Sequence, residues 1–178
     1  LRHCANSGAV INYRQTTSFD MVRPGIMLYG LYPGRDSGGI ELRPAMELKT
    51  RVIAVKELQG GDSVSYGCTF TAEKTTKIAV LSIGYGDGLH RVLSGKMDVL
   101  INGKRVRQIG LICMDFCMVD VSGVPCAVGD VATIFGRDGD EYISLDEVAE
   151  KAGTISYEIT CALTERVPRV YIGYSGGV

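Results

Sequence analysis

The sequence predicts a mainly β, barrel-like or sandwich fold, and three observations carry that expectation. Between Met46 and Phe135, short runs rich in β-branched residues recur between turn clusters such as Gly60-Gly61-Asp62, Asn102-Gly103 and Val128-Gly129-Asp130. The 178 residues include 23 glycines and only 7% aromatics, which suits a turn-rich chain. A helical period enters only near the end, after Ser144.

Leu1 to Ala9 (LRHCANSGA) carries an Asn6-Ser7-Gly8 cluster. Its turn chemistry either caps a helix at Asn6 or Ser7, or presents N–H groups and a hydroxyl to an anion. Asp20 to Gly30 places Arg23 before Pro24-Gly25 and an apolar run, read as a buried strand ending or a short helix start. A guanidinium beside such a run needs an acceptor or an outlet to the surface. Leu31 to Pro44 is dense in Gly, Pro and charge without periodicity, and is expected to be a linker.

Met46 to Leu58 alternates with β-branched residues and predicts a long half-exposed strand. Lys77 to Ile83 reads as a buried strand. Met97 to Ile101 runs into the Asn102-Gly103 hairpin signal, and Lys104 to Ile109 returns. Phe116 to Val121 and Val131 to Phe135 continue the meander. Ser144-Leu145-Asp146-Glu147 is a capping box opening a helix through Lys151, with Gly153 as its stop. Tyr157 to Leu163 is expected to form a second short helix. Arg166 to Ile172 then forms an extended tail, in which Pro168 forbids a central-strand role. No internal repeat is visible.

With 46% hydrophobic residues and a formal net charge of −1, the chain can bury a core and has no electrostatic reason to seek nucleic acid or an acidic membrane. Its longest apolar runs, such as Ile78 to Ile83, are far too short to span a bilayer. No initiator methionine or signal-peptide pattern opens it, so it reads as part of a longer protein. The six cysteines lack paired Cys-x-x-Cys spacing and are expected to be free, buried thiols, which points to the cytoplasm. Cys113 and Cys117 are placed on one face of a strand. With only His3 and His90 to help, a four-ligand zinc site would need distant recruits, and no metal is expected.

Three stretches hold polar groups in unusual places. In Ser63 to Phe70 (SVSYGCTF), Tyr66 sits between small and β-favouring residues, either as a half-buried strand tyrosine or as an acid-base group. A tyrosine has a reference pKa of about 10, so exchange near neutrality requires cations or donors that favour the phenolate. Ile83 to Gly88 ends a strand in alternating glycines around Tyr85 and Asp87, giving either a tight turn or a close approach to a ligand or another chain. Asp115 is a lone carboxylate in an apolar run and must be either paired or on a loop that meets a polar ligand.

Taken in order, HCANSGA, MVRPGIMLYG, VSYGCTF, IGYGDG and ICMDF resemble the alanine racemase family of pyridoxal-phosphate enzymes. The resemblance implies that residues 1–40 close an N-terminal (β/α)8 barrel and lead into a linker, and that 41–178 form the C-terminal β domain of a fold-type III racemase. It implies that Ser7 binds the phosphate of pyridoxal 5′-phosphate together with backbone groups of Gly25 and Ile26. Arg23 then donates to the pyridine nitrogen, with His3 bonded behind it. A guanidinium stays protonated, so it donates without protonating the ring and leaves a weaker electron sink than a carboxylate partner would. Proton return to Cα is then favoured over side reactions.

Racemisation needs an acid and a base on opposite faces of the bound amino acid. By resemblance one is Tyr66, and the other is a cofactor-holding lysine absent from these residues, so this stretch alone is expected to be inactive. The resemblance also implies a homodimer in which Tyr66 reaches the other subunit's site. Met114 and Asp115 lie beside the substrate carboxylate and Tyr85 at the entry. The implied role is supply of D-alanine for peptidoglycan.

Some positions depart from the family pattern. Leu111, Phe116 and Gly86 stand where G-R-I-C-M-D-Q and G-Y-A-D-G have arginine, glutamine and alanine, and Glu165 stands where some members have a phosphate-binding tyrosine. The neutral Leu111 leaves corridor electrostatics and substrate choice open. A serine or broad-specificity racemase and a non-catalytic β module for dimerisation or ligand binding remain the alternatives. An incomplete barrel would also leave apolar surface such as Ile26 to Leu31 without partners.

Overall fold

The computed structural model describes residues 1–34 and 38–173. The chain forms two compact units, Leu1–Glu47 and the residues from Leu48 onward.

The first unit holds helix α1 (Ser7–Asn12), the single turn α2 (Arg14–Thr17) and a 3-10 turn over Ile26–Tyr29. Asn6 is the N-cap of α1: its side chain accepts from the Ala9 N–H at 3.0 Å, satisfying a donor that the helix leaves unpaired. A parallel bridge joins Asn6 to Arg23. The apolar run after Gly25 is therefore a short helix start rather than a strand. The expected linker is not a free spacer where it is described: Ala45 N–H donates to the Tyr29 carbonyl at 3.0 Å, and the Tyr32 hydroxyl donates to the Ile40 carbonyl at 2.8 Å. Its residues 35–37 lie outside the described residues.

The second unit is a closed antiparallel barrel. Strand β1 spans Leu48–Leu58, β2 Ser63–Val64, β3 Phe70–Thr71, β4 Thr76–Leu81, β5 Asp98–Ile101, β6 Lys104–Ile109, β7 Cys117–Asp120, β8 Val131–Asp138 and β9 Glu141–Ile143. The order β1-β4-β7-β6-β5-β8-β9, with β1 also paired to β8, returns the sheet to its first strand. Closure rests on β1. Its Leu48–Arg51 stretch pairs with β8 and its Val52–Leu58 stretch with β4, and register irregularities at Leu48/Lys49 and Val52/Ala54 bend the strand between them. Closure removes exposed edges from the ring and settles the barrel-or-sandwich alternative.

The Asn102-Gly103 hairpin forms with both residues at positive φ, 50° and 70°, as a two-residue turn matched to strand twist requires. The strand predicted to end at Phe135 continues to Asp138 and turns through Gly139-Asp140 into β9, which was not expected. Along the strands of the ring, Val52, Leu81, Val99, Leu100, Ile101, Val119, Ile134 and Phe135 are buried. The buried Gln108 is fully engaged, accepting from Gly95 N–H and donating to the Ile109 and Gly110 carbonyls, which avoids the penalty of an unpaired amide. Helix α3 (Leu145–Ala152) begins at Ser144, whose hydroxyl accepts from Glu147 N–H at 3.0 Å, and ends at Gly153 with φ 76°. Helix α4 spans Ser156–Ala162.

Burial of the cysteines differs from expectation. All six are unpaired, but only Cys117 is buried; Cys4, Cys68 and Cys161 are exposed and Cys113 and Cys126 intermediate. Burial pushes the Cys117 thiol up to about 12, so it is an inert core group. Cys113 does not share a strand with Cys117, because a turn closed by Cys113 N–H and the Phe116 carbonyl separates them. Among the described residues, no helix is long and apolar enough to cross a membrane, and no group of three or more His, Cys, Asp or Glu could hold a metal ion.

Candidate functional site

In the first unit, pairing of the opening segment with residues 21–25 brings Ser7 to the 3-10 turn. Arg23 N–H donates to the Ala5 carbonyl at 2.7 Å. The buried Ser7 hydroxyl accepts from Gly25 N–H at 2.9 Å and from Met27 N–H at 3.5 Å. Two accepted bonds leave its proton free to donate, and the first N–H groups of a 3-10 turn have no partner in the turn's own ladder. Of the two readings of the Asn6-Ser7-Gly8 cluster, the cap is realised at Asn6, while Ser7 pairs with the N–H groups of the Gly25 turn and keeps its own proton to give. Arg23 is exposed and donates to the Cys4 carbonyl at 3.2 Å, leaving other N–H groups available. His3 is exposed, and among the described residues no hydrogen bond joins it to Arg23. These groups fit a phosphorylated aromatic cofactor: a hydroxyl and backbone donors for the phosphate, and a permanent cation for a ring nitrogen.

In the second unit the strands β2 and β3 form a small arm that carries Tyr66 on a 3-10 turn, Tyr66–Cys68. Tyr66 is not a half-buried strand residue. It is 75% exposed, because the residues around it turn the chain outward: Ser65 has φ 67° and ψ −179°, Gly67 φ 70° and Cys68 φ 47°. Ser65 occupies a region used almost only by glycine, at a cost of about 1–3 kcal/mol. Below the turn, Val64 is buried against Ile78, Ile109 and Met118, with Phe70 alongside. Burying a valine contributes about 1.5–3 kcal/mol, enough to hold the strained turn in place. The Ser65 hydroxyl also donates to the Leu111 carbonyl at 2.9 Å, which fixes the arm to the segment leading into Met114 and Asp115.

That segment meets two others. Tyr85 N–H donates to the Cys113 carbonyl and Gly86 N–H to the Met114 carbonyl, both at 2.9 Å. A side chain at Gly84 would overlap both carbonyls, so the alternating glycines serve a close approach to the chain's own loop. Asp87 is buried; its Oδ2 accepts from Gly84 N–H at 2.9 Å and its Oδ1 lies 3.1 Å from Arg166 Nε. Arg166 also donates from its terminal nitrogen to Asp115 Oδ1 at 2.5 Å. Asp115 is therefore both paired and on a loop, and it is half-exposed rather than buried. The Asp115 hydrogen bond, reinforced by Asp87, raises Arg166 above its ordinary range. Tyr85, Met114 and Phe116 are 43%, 51% and 44% exposed, and Glu165 is exposed.

The sequence reading missed Arg166 and the pairing role of Asp87. Two carboxylates that the fold holds near each other demand a cation, but nothing in the spacing says that it comes from the chain's end. A cavity of about 490 Å³ opens beside this cluster, lined by Lys49, Arg51, Ser82, Asp87, Arg166 and Pro168 among others.

Comparison with known proteins agrees along the chain. Residues 45–171 match the family model "Alanine racemase, C-terminal domain" and residues 1–33 match "Alanine racemase, N-terminal domain". The chain is 51% identical over 176 residues to an alanine racemase of Desulforamulus reducens, covering 97% of this chain and 46% of that protein. It is 49% identical over 175 residues to one of Methanococcus maripaludis, with 97% and 46% covered. The alanine racemase of Bacillus anthracis, solved with L-Ala-P bound, superposes with a TM-score of 0.90 at 42% identity, covering 96% of this chain and 44% of that one. The chain thus spans about half the length of the curated relatives it matches. With both family models matched in order and half of its residues shared with such relatives, the chain belongs to the alanine racemase family.

Proposed function

We propose that the protein carrying this chain is a pyridoxal-phosphate-dependent amino-acid racemase, an isomerase that interconverts L- and D-alanine in the cytoplasm and supplies D-alanine for peptidoglycan. In this reading residues 1–40 close a (β/α)8 cofactor-binding barrel and residues 41–178 form the C-terminal β domain. The parallel Asn6–Arg23 bridge supports the first assignment, since parallel pairing is the rule in such barrels.

The observation that carries the reading is Tyr66, an exposed phenol on a strained turn tied to the loop of Met114 and Asp115. Strain kept at a single outward-facing side chain is characteristic of functional positions. Ser7, with the backbone of Gly25 and Ile26, would hold the cofactor phosphate. Arg23 would donate to the ring nitrogen, with His3 in support. When bound, pyridoxal phosphate supplies an electron sink for negative charge at the substrate Cα.

The chain's own residues do the rest. Tyr66 gives or takes the proton at Cα through its phenolic oxygen, on one face of the substrate, and a lysine outside these residues serves the opposite face. Met114 and Asp115 border the substrate carboxylate, and Tyr85 narrows the entry. The exposed apolar side chains of Tyr66, Tyr85, Met114 and Phe116 support a contact with a second copy, which makes a homodimer with a shared site the expected assembly.

The test uses the full-length protein with pyridoxal phosphate and L-alanine or L-serine, following the D-enantiomer. D-alanine formation upholds the reading, and the alanine-to-serine ratio decides the substrate. A protein that binds the cofactor but produces no D-amino acid fails it.

A further inference from the structure

We propose that Arg166 is a positioning residue: it locks the Met114–Asp115 loop onto the Asp87 turn and offsets the charge of Asp115, so that the loop can receive the carboxylate of an amino acid. This deepens the function proposed above and rests on its placement of Met114 and Asp115 beside the substrate.

Asp87 is the fixed end of the chain of contacts. It is 8% exposed, with one oxygen bonded to Gly84 N–H and the other facing Arg166 Nε. Asp115 is the open end, with a half-exposed side chain whose Oδ1 accepts from Arg166. Arg166 joins the two through different nitrogens of one planar fork, so its orientation is set by the buried carboxylate before it reaches the exposed one.

The backbone beside Arg166 is tied to the same turn. Thr164 N–H donates to the Asp87 carbonyl at 3.2 Å and the Thr164 hydroxyl to the Gly86 carbonyl at 3.0 Å. Arg169 donates to the Leu163 carbonyl at 3.0 Å, bracing the segment from the other side. Gly86 leaves room for the fork, because a side chain there would meet an Arg166 terminal nitrogen.

The charges give the arrangement its chemical sense. Asp87 and Asp115 are two anions on adjoining loops, and a substrate carboxylate would bring a third. One guanidinium between the first two halves their net charge and so lessens the repulsion that the third would otherwise meet.

The test uses the full-length holoenzyme and the variants Arg166→Gln, Arg166→Lys, Asp115→Asn and Arg166→Gln with Asp115→Asn. Arg166→Gln is expected to raise the KM for alanine about tenfold or more, with kcat within about threefold. In the double variant, KM is expected to return to within about threefold of Asp115→Asn alone, because the repelling charge is gone. A fall in kcat at unchanged KM, or additive effects of the two changes, overturns the substrate clause.

Amide exchange at Tyr85 and Gly86, whose N–H groups bond the Met114 loop, reads positioning without catalysis. It is expected to quicken about fivefold or more in Arg166→Gln, and unchanged exchange overturns the lock. If the wild type racemises nothing yet the exchange quickens, the proposed function fails while the lock stands. Arg166→Lys keeps the charge but loses the fork: exchange is expected to quicken with the KM within about threefold of wild type, and a rise in KM of about tenfold there overturns the substrate clause, so this variant tests both clauses if the Gln variant does not fold.

Discussion

Two clusters on the barrel use an arginine between carboxylates, and they differ in what surrounds it. At the helix side, Arg105 on β6 pairs with Glu147 of α3 at 2.8 Å and Glu141 of β9 at 3.5 Å. Lys151 joins Glu147 and Asp98 of β5, both at 2.9 Å. Every member but Arg105's carbonyl partner, Tyr142 O, is a charged side chain on a regular element, and Glu147 meets two cations. The cluster clamps α3 to the barrel and is complete within the fold. In the other cluster, Arg166, Asp87 and Asp115 lie on turns and loops, and the outer carboxylate stays half-exposed. The same chemistry stabilises when its partners are rigid and mutual, and it presents a group to solvent when one partner is left open.

If that contrast holds, substitutions on the loop side should change catalysis and those on the helix side should change stability. The largest effect is expected for Tyr66→Phe in the full-length enzyme: α-proton exchange with the substrate falls by about 10²–10⁴ while the melting temperature holds, as for loss of an acid-base group. Equal activity in the variant would break the loop side of the comparison. Next, Gly84→Ala is expected to destabilise the chain by about 3 kcal/mol in denaturant unfolding, since the Cys113 and Met114 carbonyls occupy the space of the new methyl. It sharpens the contrast by showing how rigidly the loops are held.

Glu147→Gln should cost about 1–2 kcal/mol of stability and leave substrate kinetics unchanged. Arg105, then Lys151, lowers the Glu147 pKa below 4.5, against its partial burial. A lowered folded-state value means that the stabilisation is present above about pH 4.5 and is lost as pH falls through the folded value. The gap between wild type and Glu147→Gln should therefore close in acid, and a gap that widens there would reject the assignment. For Lys151, burial opposes the charge but Asp98 and Glu147 outweigh it and raise the pKa above 10.5, so its share persists below that pH and fades as pH rises through the folded value. The smallest effect, about 1 kcal/mol, is expected for Ser144→Ala, which removes the cap of α3 and is read by thermal unfolding.

Much of the barrel was legible because its signals are local. The alternation of Leu48, Thr50 and Val52, the Asn102-Gly103 pair and the Ser144 box each act within a few residues, and each forms where expected. The β9 hairpin was missed because Glu141-Tyr142-Ile143 is too short to show a period. Tyr66 was identified as the residue to watch, but its setting was not. The Val-Ser-Tyr pattern has β propensity, whereas burial of Val64 and the Ser65–Leu111 bond impose an outward turn. Cysteine burial was misjudged in the same way, since side-chain type gives a preference and packing chooses the face.

By itself the sequence determined the family motifs, the strand meander, the capped helix and the identity of the chemically distinctive side chains, because propensity, capping and turn geometry are properties of neighbours along the chain. Only the tertiary structure decided that the meander closes through both halves of β1, that Ser7 lies against the Gly25 turn, and that Arg166 comes back from the end of the chain to stand between Asp87 and Asp115. These contacts join residues far apart in sequence. Which distant partners meet is set by how strands register and cores fill, and by the need of each charge held near a core for a counter-charge within reach.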